Sequence, residues 1–292
     1  MNDVKTYNLS DTERKELQKI LLNIYCDIAE VCRKYDLRML MGGGSCLGAV
    51  RHKGFIPWDD DIDLVMPRSD YNKLLEIFDQ EMGEKYHLVD MFKTHSGQKT
   101  FTKIMKKNTT FIETVTYDND SPTGIFVDIF PLEFLPENRF VRSVYLFFAN
   151  IFTKLISVIT GYQLSPKHSK FREIAKYRII GWLTSFMSVY KWVYLYTVFI
   201  SSCRGNKYCF LPSDGRGVYF GLLPVDTFLP LSKGIFEGII VNLPHNHNTY
   251  LRNLYGNYME FPPLDKRQGE HPVISFSTCN SAIVKNNKEI DI

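Results

Sequence analysis

Apolar residues recur at helical spacing behind Ser10-Asp11-Thr12-Glu13: Leu17, Ile20, Leu21, Ile24, Ile28, Val31 and Cys32. This periodicity predicts an amphipathic helix running to about Lys34. Ser10 and Glu13 have the spacing of a capping box, in which each side chain satisfies the other residue's backbone N–H. Residues 37–41 are short and apolar and lead straight into three glycines, the pattern of a buried strand. A helix is predicted over 45–51, right behind that glycine turn. Alternation over 61–66 predicts a second strand. Pro67 closes it, and Ser69 or Asp70 is expected to cap a helix to about Met82. Residues 86–91, 101–106, 109–115 and 125–130 are further strand candidates. The N-terminal half therefore reads as a mixed α/β unit on a small sheet.

The middle of the chain has a different texture. Residues 140–162 and 179–202 are long, aromatic-rich and apolar, and they flank a basic stretch with Lys167, Lys170, Arg172, Lys176 and Arg178. A membrane span needs about 20 apolar residues. Lys154 and Lys191 sit near the centres of the two segments, and a charge there costs about 2.5–3.5 kcal/mol. The segments are therefore expected to form a helical insertion packed against the core. The alternative is an interfacial surface, with apolar faces dipping into lipid and basic residues meeting anionic headgroups.

Beyond Cys203 the pattern turns to loops and strands, with a short helix expected over 247–255. Pro262-Pro263 then breaks the chain before Asp265-Lys266-Arg267. The resulting division is a catalytic core over 1–138, an insertion over 139–207, a segment completing the catalytic domain over 208–280, and a tail over 281–292 expected to fray.

Composition narrows the classes. The chain has 292 residues, 45% of them hydrophobic, which is enough for a full core. A formal charge of +3 does not favour nucleic acid as a partner. The six cysteines form no CxxC pair and no zinc spacing, as expected of reduced thiols. The first ten residues are polar, unlike a signal peptide, so the expected location is cytoplasmic.

Two clusters carry the candidate chemistry: Gly42-Gly43-Gly44-Ser45, then Asp59-Asp60-Asp61-Ile62-Asp63. On a strand, Asp61 and Asp63 project from one face. Two adjacent ionised carboxylates need a cation to offset their repulsion, and hard oxygen donors suit Mg²⁺ or Mn²⁺. Asp128 is the lone acid in Ile125-Phe126-Val127-Asp128-Ile129-Phe130, and a buried carboxylate must find a partner. It is the expected third metal ligand. Gly43 and Gly44 would let backbone N–H groups approach a phosphate, with Ser45 adding a hydroxyl. Arg51, with His52 and Lys53, reads either as a phosphate-neutralising group or as a solvated basic patch. Lys103 reads as a phosphate ligand or as a snorkelling surface lysine. Trp58 stacks on a ligand ring or packs. Asp59 and Asp60 assist the site or cap the turn.

The stretch from Met41 to Arg68, MGGGSCLGAVRHKGFIPWDDDIDLVMPR, closely resembles the signature of the LicD family. The resemblance continues through Phe101-Thr102-Lys103-Ile104 and the strand from Gly124 to Leu132. It resumes at Phe236-Glu237-Gly238, Tyr250-Leu251, Tyr255-Gly256, Pro262-Pro263, Lys266-Arg267 and His271. A triple glycine stands where two glycines before the serine are usual. The resemblance implies an α+β, nucleotidyltransferase fold of the polymerase β type: a mixed sheet flanked by helices, carrying a helical insertion.

It also implies transfer of a phosphorylated alcohol from a CDP-linked donor to a sugar hydroxyl. The best-known members resemble phosphocholine transferases of bacterial surface glycans, and the fukutin group uses a CDP-linked polyol phosphate. By position, Asp61, Asp63 and Asp128 correspond to the metal triad, and Gly43, Gly44 and Ser45 to the phosphate loop. Lys266, Arg267 and His271 correspond to groups closing over the donor, with a charged surface loop as the other reading.

The expectation is thus a Mg²⁺- or Mn²⁺-dependent phosphocholine transferase using CDP-choline. Its acceptor is a glycan or lipid-linked sugar, and the interfacial alternative for the insertion would add peripheral contact at the inner membrane surface. The rivals are a nucleotidyltransferase releasing pyrophosphate and a non-catalytic binding protein on the same fold.

Overall fold

The computed structural model describes residues 6–90, 101–113, 122–159, 182, 184–211, 221–269, 271, 273–279, 283–285 and 288–290. Helix α1 (Asp11–Lys34) starts at the expected capping box. The Ser10 N–H donates to Glu13 Oε2 at 2.8 Å, and the Glu13 N–H returns to Ser10 Oγ at 3.3 Å. These bonds hold the Glu13 carboxyl below its ordinary pKa. The inner face buries Leu17, Leu21, Ile24, Ile28 and Val31, each worth about 1.5–3 kcal/mol of apolar transfer. The helix stops where Asp36 turns left-handed, at φ +53°.

The main sheet holds β1 (Leu40–Met41), β2 (Asp63–Pro67), β3 (Tyr86–Val89), β4 (Thr102–Lys106) and β6 (Phe126–Phe134), in spatial order β1-β2-β6-β4-β3. The β2–β6 pair is parallel, and the other pairs in that order are antiparallel. Such a mixed sheet with flanking helices is an α+β architecture. Between β1 and β2 lie α2 (Gly43–Leu47) and a wider π-type turn (Gly48–His52). The helix expected over 45–51 is therefore two short pieces, and it begins earlier. Strand β2 begins at Asp63, so Asp61 precedes the strand instead of opening it.

Helix α3 (Arg68–Glu81) follows β2 directly, with Pro67 at its N-cap and no side-chain cap. Neither Ser69 nor Asp70 performs the expected capping. Asp70 is instead clamped by the Arg38 guanidinium, with Nε–Oδ2 at 2.8 Å and Nη2–Oδ1 at 3.0 Å. Burial pushes the Asp70 carboxyl upward, but the hydrogen bonds from Arg38 and Ser69 outweigh it and hold the pKa below the usual range.

Strand β5 (Thr110–Glu113) pairs antiparallel with β11 (Val273–Ser277), and Tyr7 bridges to Val273. The C-terminal segment thereby returns to the N-terminal core. Strands β7 (Tyr208–Phe210) and β8 (Leu223–Pro224) extend the far end of β6. Strands β9 (Ser232–Phe236) and β10 (Ile239–Leu243) form a hairpin ahead of α6 (His247–Tyr255). Within the tail expected to fray, Ile283–Lys285 (β12) pairs antiparallel with Lys288–Ile290 (β13).

The insertion supplies α4 (Arg139–Ile159) and α5 (Val189–Ser201). Tyr145 stacks on Phe199 at 4.6 Å, while Phe152 meets Trp192 and Tyr196, so the two helices run antiparallel. Their inner faces close a second, smaller core around Leu135, Leu146, Ala149, Val193, Tyr196 and Phe210. The remainder of the two predicted segments, and the basic stretch between them, lie outside the described residues.

Candidate active site

Strand register assembles the site. Asp63 on β2 pairs directly with Asp128 on β6, and Asp128 pairs with Lys103 on β4. Paired residues on neighbouring strands share a face and stand about 4.8 Å apart. Asp63, Asp128 and Lys103 therefore form one row across the middle of the sheet. Asp61 lies two residues upstream of β2, on a segment fixed by the Asp128 N–H donating to Ile62 O at 3.0 Å.

Asp128 is buried, and so is Lys103, which is not the snorkelling surface lysine of the second sequence reading. The ammonium lies 3.3 Å from Asp128 Oδ1 and 3.4 Å from Oδ2, and 3.1 Å above the Phe126 ring. Asp128 Oδ1 accepts no well-formed hydrogen bond.

The glycine turn packs directly on the acids. Gly43 has φ +41°, and a Cβ there would collide with the Asp63 carboxylate. A Cβ on Gly44 would lie 3.0 Å from Asp59 Oδ2. The backbone groups of the turn are already engaged in part. The Gly42 N–H donates to Asp63 O, the Gly43 N–H donates to Tyr250 Oη at 3.0 Å, and Ser45 Oγ accepts from the Asp63 N–H at 3.0 Å. Ser45 and the Gly43 amide thus lock the loop to β2 and α6. Tyr250 lies 207 residues away in sequence, and only its membership of the resembling C-terminal pieces pointed to it.

His271 comes back to this cluster just ahead of β11. Its Nδ1 lies 2.9 Å from Asp60 Oδ1, its backbone N–H donates to Asp60 Oδ2 at 3.2 Å, and its Nε2 turns toward Asp61 Oδ2 at 4.0 Å. The ring packs edge-on against Phe111 and Phe126. Asp60 is therefore the residue that orients His271, a role its place in the acidic run did not single out. Among the described residues, Asp60, Asp61 and His271 bring ligand atoms within 4.8 Å of one another. A carboxylate fixing one imidazole nitrogen while the other faces a second carboxylate is a recurrent arrangement around metal ions.

A divalent cation fits this donor set on two grounds. Asp60, Asp61 and His271 bring two carboxylate oxygens and an imidazole nitrogen within 4.8 Å of one another, and Asp128 Oδ1, on the strand beside Asp63, accepts no hydrogen bond. Carboxylate oxygens suit Mg²⁺ or Mn²⁺, and the imidazole extends the set toward Mn²⁺ and its neighbours in the transition series.

A basic and aromatic group lies beside the acids. Arg51 donates from Nη1 to Tyr258 O at 2.7 Å and from Nε to His52 Nε2 at 2.9 Å, with its guanidinium 4.8 Å from the Phe261 ring. Arg267 covers the other side, 5.3 Å from Phe261 and 5.5 Å from Trp58. Burial and the Arg267 charge lower the pKa of Arg51, and burial with the Arg51 charge lowers that of His52. Two guanidiniums held close on an exposed aromatic ring form a place for an anion beside a planar group. Phe261 escaped the sequence reading because a lone phenylalanine before two prolines carries no chemical signature. Lys266 sits exposed on the turn Leu264–Lys266, next to Arg267 but outside this cluster.

Residues 36–152 match the family described as LicD/FKTN/FKRP, nucleotidyltransferase domain. The lipopolysaccharide cholinephosphotransferase LicD of Haemophilus influenzae is 26% identical over 261 residues, covering 88% of this chain and 95% of that protein. An uncharacterized protein of Rickettsia prowazekii is 34% identical over 77 residues, or 26% of this chain and 27% of its own length. The β2, β4 and β6 carboxylate and lysine row lies wholly inside the segment that matches the LicD family model.

Proposed function

We propose that the protein transfers phosphocholine from CDP-choline to a sugar hydroxyl of lipopolysaccharide or of a lipid-linked precursor, with Mg²⁺ or Mn²⁺ and release of CMP. The observation that carries this reading is the Asp63–Asp128 register beside the glycine turn, in a chain resembling a cholinephosphotransferase along most of its length. Asp61, Asp63 and Asp128 would hold the cation, with Asp60–His271 at its edge. When bound, the cation would supply charge neutralisation for the donor's diphosphate.

The chain's own groups do the rest. Gly43 and Gly44 keep that side of the row clear, because any side chain there would occupy the space of the carboxylates. Arg51 and Arg267 bind the nucleotide end, with phosphate against the guanidiniums and the ring plane against Phe261 or Trp58. Lys103 holds Asp128 in place and limits the charge left uncompensated. The sugar oxygen attacks the choline-bearing phosphorus, the bond to the bridging oxygen breaks, and CMP leaves. The hydroxyl proton passes to Asp128. Most of the acceleration comes from positioning and fixed charge.

The test is CMP release from CDP-choline by the purified chain with Mn²⁺ and a lipopolysaccharide acceptor lacking phosphocholine. Choline label should appear on the glycan in equal amount. Pyrophosphate released from CTP, with no CMP from CDP-choline, would replace this reading with nucleotidyl transfer.

A further inference from the structure

The α4–α5 hairpin is apolar on two sides. Its inner side closes the small core described above. Its outer side on α4 carries Phe140, Val144, Phe147, Phe148 and Ile151, at the spacing of one helical face, and all are exposed. Phe140 is 78% exposed and Phe147 55%. On α5 the outward positions Tyr194, Leu195 and Val198 repeat the pattern. Trp182 and Phe186, just ahead of it, are 76% and 74% exposed. An apolar helix face left to water over this length marks an interaction surface.

Charge identifies the partner. Residues 139–207 hold eleven Lys or Arg and one acid, Glu173. That is +10 in a chain whose total is +3, so the rest of the molecule carries −7. Lys154 and Lys191 are both exposed, and each lies on the turn next to the outward apolar positions. Phenylalanine, tryptophan and tyrosine flanked by lysine and arginine match the chemistry of a bilayer interface, with acyl chains below and anionic headgroups above. Among the described residues no helix is long and apolar enough to cross a membrane.

We propose that the outer faces of α4 and α5 are a monotopic docking surface that seats the protein on an anionic lipid bilayer. The hairpin leaves the end of β6 opposite Asp128. Glu133 and Phe134 already pair with β7 there, about 20 Å along the strand from the acidic row. The inference stands whether or not the transferred group is phosphocholine.

The experiment is co-sedimentation of the full chain with phosphatidylcholine vesicles, with and without about 30% phosphatidylglycerol. It is followed by tryptophan quenching with brominated lipid. The expected result is binding to the anionic vesicles at least about tenfold tighter than to neutral ones, weakened by high salt, with quenching of Trp182. The triple variant F140S/F147S/F148S should lose about tenfold or more in vesicle binding. Its thermal midpoint and circular dichroism should be unchanged, since all three side chains are exposed. Three results would overturn the proposal: no vesicle binding by the parent chain, binding the variant leaves intact, or a dimer of the parent that the variant dissolves without any vesicle binding.

Discussion

The acidic row and the helical hairpin are opposite exceptions to the usual sorting of residues by polarity. At the row and the acidic turn leading into it the protein buries charge: Asp59, Asp60, Asp61, Asp128 and Lys103 are all withdrawn from water. At the hairpin it does the reverse and leaves phenylalanine and tryptophan in water. Both placements oppose stability, since a buried ion costs desolvation and an exposed ring forgoes apolar transfer. The comparison teaches where to look for binding partners. A second buried ion pair, Arg68 with Glu133 at the far end of β6, is complete within the chain: the guanidinium meets the carboxylate directly and stacks on Tyr71. Burial pushes the Glu133 carboxyl up, and the Arg68 charge opposes this. The acidic row instead stands beside the Asp60, Asp61 and His271 group, whose ligand atoms lie close enough together to share a cation.

The largest effect separates these two kinds of buried charge. Asp63→Asn, an isosteric change at the half-buried member of the row, should lower CMP release by about a thousandfold, or roughly 4 kcal/mol of transition-state stabilisation, and leave the thermal midpoint near that of the parent. Arg68→Met should do the opposite, costing about 3–5 kcal/mol of stability by stranding Glu133, while the surviving folded protein keeps its turnover. Equal loss of stability in both variants would erase the distinction.

The hairpin allows a similar contrast between its two sides. Leu146→Ala, on the inner face, should cost about 2–4 kcal/mol by leaving a cavity in the small core. Phe147→Ser, one residue on and facing outward, should change stability by less than about 0.5 kcal/mol. Chemical denaturation of the two variants side by side checks this, and a large loss for Phe147→Ser would mean the outer face is packed in solution.

The same contrast explains what could be read from the chain. Elements with strong local signals were legible: the capping box and apolar stripe of α1, the helix His247–Tyr255, the alternation that made Asp63 a strand residue and the apolar run that did so for Asp128. Local pattern could not show the parallel register that sets Asp63 against Asp128, because register depends on pairing across 65 residues of chain. It also misplaced Asp70 as a cap. An Asp at a helix start suits that role, but here Pro67 already occupies the N-cap and Arg38 arrives from outside the helix. The contacts of His271 with Asp60, Gly43 with Tyr250 and Arg51 with Tyr258 each span more than 200 residues, so no window of sequence contains those pairs.

A smaller effect tests the steric side of the site. Gly43→Ala places a Cβ on the Asp63 carboxylate at a residue with φ +41°, a region alanine disfavours by about 1–2 kcal/mol. Stability should fall by about that amount, and CMP release should fall further than stability explains, because Asp63 must move. Gly256→Ala is the control. It has φ +65° and open space around the Cβ, so it carries the backbone cost and leaves activity alone. If both glycine variants lose activity equally, Gly43 serves only the turn.

The smallest effect concerns the basic group beside the acids. His52 Nε2 accepts the Arg51 Nε–H, which requires the neutral ring, and burial and the Arg51 charge both hold its pKa below the ordinary 6.5. A depressed histidine pKa means that the unfolded chain takes up the proton first as pH falls. The stability this contact contributes is therefore fully present above pH 6.5 and drains away as pH drops from 6.5 through the folded pKa. Proton NMR of the His52 ring, assigned with His52→Gln, should give a midpoint below 6.5. Arg51→Gln should move that midpoint upward by removing the adjacent charge, whereas Lys266→Gln, on the exposed turn outside the cluster, should leave it in place. A His52 midpoint at or above 6.5 in the parent chain would mean that Arg51 does not donate to the ring. Arg51 would then be held in the cluster by its bonds to the Tyr258 and Glu260 carbonyls.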